Sequence, residues 1–187
     1  MFKNKKRQTS YVDAHNRAVS LYKKSASALI WAGIFNVVGS IFFTVSSNNN
    51  ISNFFGTFLC LGMNTFIFSL PQTYSFLVNG IPWSAILYIA VSLAFSAIYC
   101  MLGLFSLNGN KIFLYSGISL YFLDWVFLIM CYFFETPGIT NDTIYLLIGV
   151  HLIITIFLLI ALYQRYKVIE LDKKRKELLE KEKNSNN

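Results

Sequence analysis

Apolar residues in this chain gather into five runs, at about 26 to 46, 53 to 70, 84 to 107, 112 to 134 and 143 to 163, divided by short polar links. A helix needs roughly 20 predominantly apolar residues to cross the hydrocarbon of a bilayer, so four of the five predict full spans. The run at 53 to 70 is shorter. Pro71 stops it, and the chain continues as the moderately polar "QTYSFLVNGIPW", in which Gly80 and Pro82 are breakers. As one helix, residues 53 to 83 would measure roughly 46 Å, too long for one crossing and too short for two. The pattern therefore predicts an all-α, polytopic membrane helix bundle with four full spans plus a re-entrant or broken helical segment. Two short spans over 53 to 83 are the second choice, so the total is five or six segments.

Charge adds an orientation to this pattern. Residues 1 to 24 hold seven Lys or Arg and one Asp, and residues 165 to 183 hold eight Lys or Arg and five acids. The 140 residues between hold only Lys111, Asp124, Glu135 and Asp142. With 55% hydrophobic and 13% charged residues, the chain has too few charges to coat a soluble globule of its size. The net charge of +7 sits at the ends of apolar spans, which points to anionic lipid headgroups and membrane orientation and away from nucleic acid. Lys and Arg near span ends prefer the cytoplasm, so both termini are expected there, with an even number of full crossings of the cell membrane. "SSNNN" and "ETPGITND" would then lie outside and Lys111, in "NGNK", inside. The first apolar run is longer than a signal-peptide core and lacks a convincing cleavage site, so it is expected to remain as a span.

Four regions follow. Residues 1–25 form a basic cytoplasmic juxtamembrane helix, for which Ser10 in "SYVD" offers a cap with an acid three residues on. Residues 26–163 form the transmembrane bundle. Residues 164–183 form a charged cytoplasmic helix supported by Glu170/Lys174, Asp172/Lys176 and Glu177/Lys181 at i, i+4. Its thin apolar edge of Val168, Leu171 and Leu178 suits a solvated extension of the last span, with a partner-binding or lipid-surface helix as the alternative. Residues 184–187, "NSNN", are expected to be disordered.

The candidate chemistry lies at mid-membrane. Asp124 is 12 residues past Ile112 and 10 before Phe134, hence roughly 15 Å from either surface. A charge at that depth costs about 2.5 to 3.5 kcal/mol on insertion scales, so it needs a partner, a cavity or a proton. His151, in the next and antiparallel span, lies roughly 12 Å from the same face and is the candidate partner. Asn36 and Asn64 fall at roughly 15 to 17 Å, in the same layer. Taken singly, each amide fits helix packing, worth about 0.6 to 2 kcal/mol per hydrogen bond. Asp124 favours a functional role, and His151 fits either. Trp125, beside Asp124, is deeper than an interfacial belt residue and fits core packing first, with lining of the same cavity as the alternative. Cys60, Cys100 and Cys131 lie in apolar runs without C-x-x-C spacing and suit free packing residues.

"GISLYFLDWVFLI", followed after a short loop by "IGVHLIITIFLLIAL", resembles a pattern in small, functionally uncharacterised bacterial membrane proteins: a Gly, then L-Y-x-L-D, then a span with a midway His. "LCLGMNTFIF" is similar to their second segment, and "GLFSLNGNK" resembles the link between their third and fourth. The chain departs from the pattern in having a mainly Leu/Ile run after His151, where a Gly is expected. The resemblance implies that Asp124 and His151 belong together and carries no activity with it.

Two functions compete. In the first, the layer of Asp124, His151, Asn36 and Asn64 binds or transports a small solute or ion beside the broken segment. Such a short chain is then expected to form a homo-oligomer or dock to a larger transporter. In the second, it is a non-catalytic accessory subunit of a larger membrane complex, with polar groups as helix glue and the charged tail as the docking arm. No enzyme is expected: there is one acid in the spans, no H-E-x-x-H and no G-x-S-x-G. No cofactor or metal is expected either.

Overall fold

The computed structural model describes residues 2–45, 60–69, 82–133 and 141–185. Six helices occur in them: α1 (Phe2–Ala26), α2 (Ala28–Val45), α3 (Gly62–Ser69), α4 (Pro82–Leu107), α5 (Lys111–Phe133) and α6 (Asn141–Ser185). Among the described residues four stretches are long and apolar enough to cross a membrane: Tyr11–Phe42, Ile86–Leu107, Lys111–Phe133 and Asp142–Glu180. The chain is thus an all-α polytopic bundle. Of the 53 to 83 segment only 60–69 and the start of α4 are described, and α3 supplies a short helix there. The rest of that segment, and the choice between a re-entrant hairpin and two short spans, lie outside the described residues.

The first apolar span grows directly out of the basic N-terminal helix. Ser27 alone separates α1 from α2, and it donates to Lys23 O while its own carbonyl accepts from Trp31 N, so the helical path continues through it. α1 begins at Phe2, which places "SYVD" inside the helix and not at its start. A capping sequence is only a local preference, and a helix free of Pro and Gly can propagate past it when another helix packs alongside. At the other end α6 runs unbroken to Ser185, taking Asn184 and Ser185 of the expected disordered tail into the helix. Asn186 and Asn187 lie outside the described residues.

The link between α4 and α5 shows ordinary turn chemistry. Gly109 takes φ of 84°, a left-handed conformation that suits glycine, and Asn110 Oδ1 accepts from Ile112 N as an N-cap. Between the spans the core holds Leu29, Ala32, Tyr99, Leu114, Ile118, Tyr121, Ile154, Leu158 and Ala161. α2 and α4 lie close enough that a Cβ on Gly33 would stand 2.7 Å from Ser96 O and 2.8 Å from Cys100 Sγ. Small residues permit this approach, the usual device where lipid gives helices no hydrophobic drive to associate.

The two terminal helices share one end of the bundle. Tyr11 OH donates to Leu171 O, His15 Nε2 stands 3.1 Å from Asp172 Oδ1, and Tyr22 OH donates to Ser106 O. Val168 is buried and Leu171 partly so. The outer part of α6 therefore has a partner within the chain, namely α1.

Candidate functional site

α5 and α6 bring Asp124 and His151 together. Asp124 is 1% exposed and His151 2% exposed, and His151 Nε2 lies 2.8 Å from Asp124 Oδ2. On the other side of the ring, Nδ1 lies 2.9 Å from Leu147 O, one turn earlier on the same helix. A carbonyl can only accept, so Nδ1 carries a hydrogen. The Nε2 to Oδ2 contact then encloses a second proton, on either the imidazole or the carboxyl group. Both placements leave the pair neutral overall, which removes most of the penalty that a lone mid-membrane acid would incur.

The same carboxylate performs a second task. Gly62 N donates to Oδ2 at 3.0 Å and Met63 N donates to Oδ1 at 2.9 Å. These are the first residues of α3, whose leading N–H groups have no acceptor within their own helix and bear partial positive charge. In water a solvent molecule or a local cap would take them. Here a side chain from the neighbouring helix does so. Gly62 is required by this closeness: a Cβ there would stand 2.5 Å from Asp124 O and 2.9 Å from Leu128 N, both backbone atoms.

Asn36 serves the adjoining residue. Its Oδ1 accepts from Leu61 N at 2.9 Å and from Asn64 Nδ2 at 2.8 Å. Its Nδ2 donates to Ser96 Oγ at 2.9 Å and to Ser92 O and Oγ at 3.2 Å. Asn64 Nδ2 also reaches Ser92 Oγ at 2.8 Å, and Ser40 Oγ is hydrogen-bonded to Ser92 Oγ. Asn36, Ser40, Asn64, Ser92 and Ser96 are all buried. The four residues expected in one polar layer thus form two pairs, Asp124 with His151 and Asn36 with Asn64. The backbone of Leu61, Gly62 and Met63 joins the pairs.

Aromatic side chains wall the Asp124–His151 pair. Tyr121 stacks on His151 with centroids 5.5 Å apart, and Trp125 meets the same ring edge-on at 5.6 Å. Trp125 Nε1 donates to Thr155 Oγ1 at 2.9 Å, and that hydroxyl donates to His151 O at 2.7 Å. Trp125 is therefore part of the wall around the pair.

Sequence reading missed the serines, Thr155, Tyr121 and the backbone amides. The i, i+4 spacing of Asn36 with Ser40 and of Ser92 with Ser96 was the available signal, since each pair shares a helix face. One polar atom of the layer is left over: Asn64 Oδ1 is buried without a hydrogen-bond partner. Among the described residues there is no group of three or more His, Cys, Asp or Glu placed to hold a metal ion. Comparison with known protein families, with characterised proteins and with solved structures finds no match.

Proposed function

We propose that this multi-pass membrane protein is a non-catalytic subunit of a larger membrane assembly, whose polar layer is a latch that seats the broken helix α3 in the bundle. The occupation of the Asp124 carboxylate by Gly62 N, Met63 N and His151 Nε2 carries this reading. Irregular backbone at membrane depth is tolerated where protein groups or an aqueous cavity take its hydrogen bonds, and here protein groups do so. A carboxyl group already hydrogen-bonded to two backbone amides and to His151 is poorly suited to taking up and releasing an ion in each cycle. The paired α1 and α6 helices extend the bundle at its basic end and supply an arm through which such a subunit docks.

Amide exchange around Leu61 to Met63 tests the latch, together with ion flux in proteoliposomes. Asp124→Asn is expected to raise exchange at the Gly62 amide by about tenfold or more, the effect of losing roughly one hydrogen bond of local stability. Flux through the wild-type protein is expected to equal that of protein-free vesicles. Flux that is present in the wild type and abolished by Asp124→Asn, with exchange unchanged, would overturn the reading in favour of a carrier. The second reading, a solute site in the layer, is favoured by Asn64 Oδ1, which has room in its chemistry for one donor.

A further inference from the structure

At the basic end of the bundle a groove of about 360 Å³ lies between α1, the α4–α5 turn and α6. Tyr22, Lys23, Asn108, Gly109 and Arg165 line it. All three elements reach this groove where their apolar stretches end: α2 follows just after Lys24, α4 ends at Leu107, and the apolar part of α6 ends near Leu162. It therefore sits at headgroup depth.

Arg165 is the unusual member. Its guanidinium carbon stands 5.7 Å from the centre of the Tyr22 ring, so the cation lies over an aromatic face. Tyr22 is itself fixed by its hydroxyl bond to Ser106 O and is 2% exposed. Nη1 lies beside Gly109, 3.9 Å from where a Cβ would stand. The Nε hydrogen is buried with no hydrogen-bond partner. The ion pairs of the described residues join His15 to Asp172, His151 to Asp124 and Lys174 to Glu170, so among the described residues no acid pairs with Arg165. A guanidinium that lines a groove together with Lys23, and that has a buried donor without an acceptor, suits an anion with several oxygens. Phosphate meets a guanidinium fork in two parallel hydrogen bonds.

We propose that this groove binds the phosphate group of an anionic phospholipid, with Arg165 as the fork, Lys23 as the second cation and the Asn108 amide as a neutral donor. The acyl chains would run along the adjoining apolar faces of the spans. This site is separate from the polar layer, and its occupation does not depend on how that layer works.

The test is thermal unfolding of the full chain in a neutral detergent, titrated with short-chain phosphatidylglycerol, with short-chain phosphatidylcholine, or with inorganic phosphate. Phosphatidylglycerol is expected to raise the midpoint saturably, and phosphatidylcholine far less. Arg165→Gln is expected to weaken the half-saturating lipid concentration by about tenfold or more, as for the loss of hydrogen bonds to a charged group. Lys176→Gln removes the same charge from the exposed arm and is expected to leave it unchanged. Saturation by inorganic phosphate that is equally sensitive to Arg165→Gln keeps the phosphate site and makes its natural ligand a soluble anion. Equal responses in the two variants, or no saturable response, overturn the proposal. Should Arg165→Gln fail to fold, native mass spectrometry of the wild type decides: a phosphatidylglycerol adduct retained in preference to phosphatidylcholine is expected, and equal retention refutes the site.

Discussion

Asp124 offers about four lone-pair positions and meets three hydrogen-bond partners, two of them backbone amides that cannot move without unwinding α3. That asymmetry predicts how substitutions rank. In Asp124→Asn, an oxygen facing Met63 N keeps one backbone bond, and the amide nitrogen can donate to a neutral His151. The Gly62 N–H then meets another donor and is left without an acceptor, at a cost of about 1 to 3 kcal/mol. Asp124→Ala strands both N–H groups and the imidazole, and breaking a buried pair in this way costs about 3 to 5 kcal/mol. Unfolding midpoints should therefore fall in the order wild type, Asn, Ala. An alanine variant as stable as the asparagine variant would show that the backbone amides find other acceptors and that the carboxylate is not their cap.

α3 has eight residues, below the length at which an isolated helix holds together in water, so its stability must come from its surroundings. Its caps come from α2 and α5, and its closest approach is Gly62 against the backbone of α5. Gly62→Ala should displace the helix and destabilise the protein by about 1 to 3 kcal/mol, the usual range for overpacking. Gly149 makes an internal control, because a Cβ there meets nothing within 4 Å and it lies inside α6. Gly149→Ala should be neutral or stabilising by up to about 1 kcal/mol, as for glycine removed from a helix interior. Thermal unfolding of the two variants separates a packing requirement at Gly62 from a general sensitivity of glycines. The contrast also marks what could be read in advance. Length and hydropathy disclosed four spans, because crossing the hydrocarbon fixes how many apolar residues a span needs. A rise of 1.5 Å per residue placed Asp124, His151, Asn36 and Asn64 at one depth. It gave no azimuth, so it could not tell that Asn36 turns toward Ser92 and Ser96 while Asp124 turns toward His151. Nor does side-chain chemistry in a sequence disclose that the shared partner is backbone, since every residue carries the same amide.

At the scale of the whole molecule, three features meet at one end: the α1 helix, the outer half of α6 and the turn at Asn108 and Gly109. Lys and Arg clustered in both terminal stretches suit a shared side for the two, and the contacts between α1 and α6 put them at one end of the bundle. What charge could not supply was the pairing of α1 with α6, since both are basic overall and like charges repel. The contacts that join them are specific ones, the Tyr11 bond to Leu171 O and the His15 pair with Asp172, set around buried Val168. α6 is 45 residues and so roughly 68 Å long, about twice the hydrocarbon thickness, and its outer half must lie beyond the bilayer wherever the inner half crosses it. Single cysteines at exposed positions 110, 142 and 176, in a background with Cys60, Cys100 and Cys131 changed to alanine, test this arrangement. In sealed right-side-out vesicles, a membrane-impermeant maleimide should label position 142 alone, and inverted vesicles should reverse the pattern to 110 and 176. Labelling of 110 and 142 from the same side would mean that α5 does not cross the bilayer. Asp124 would then not be a mid-membrane acid at all, and the latch would have been built to solve a different problem.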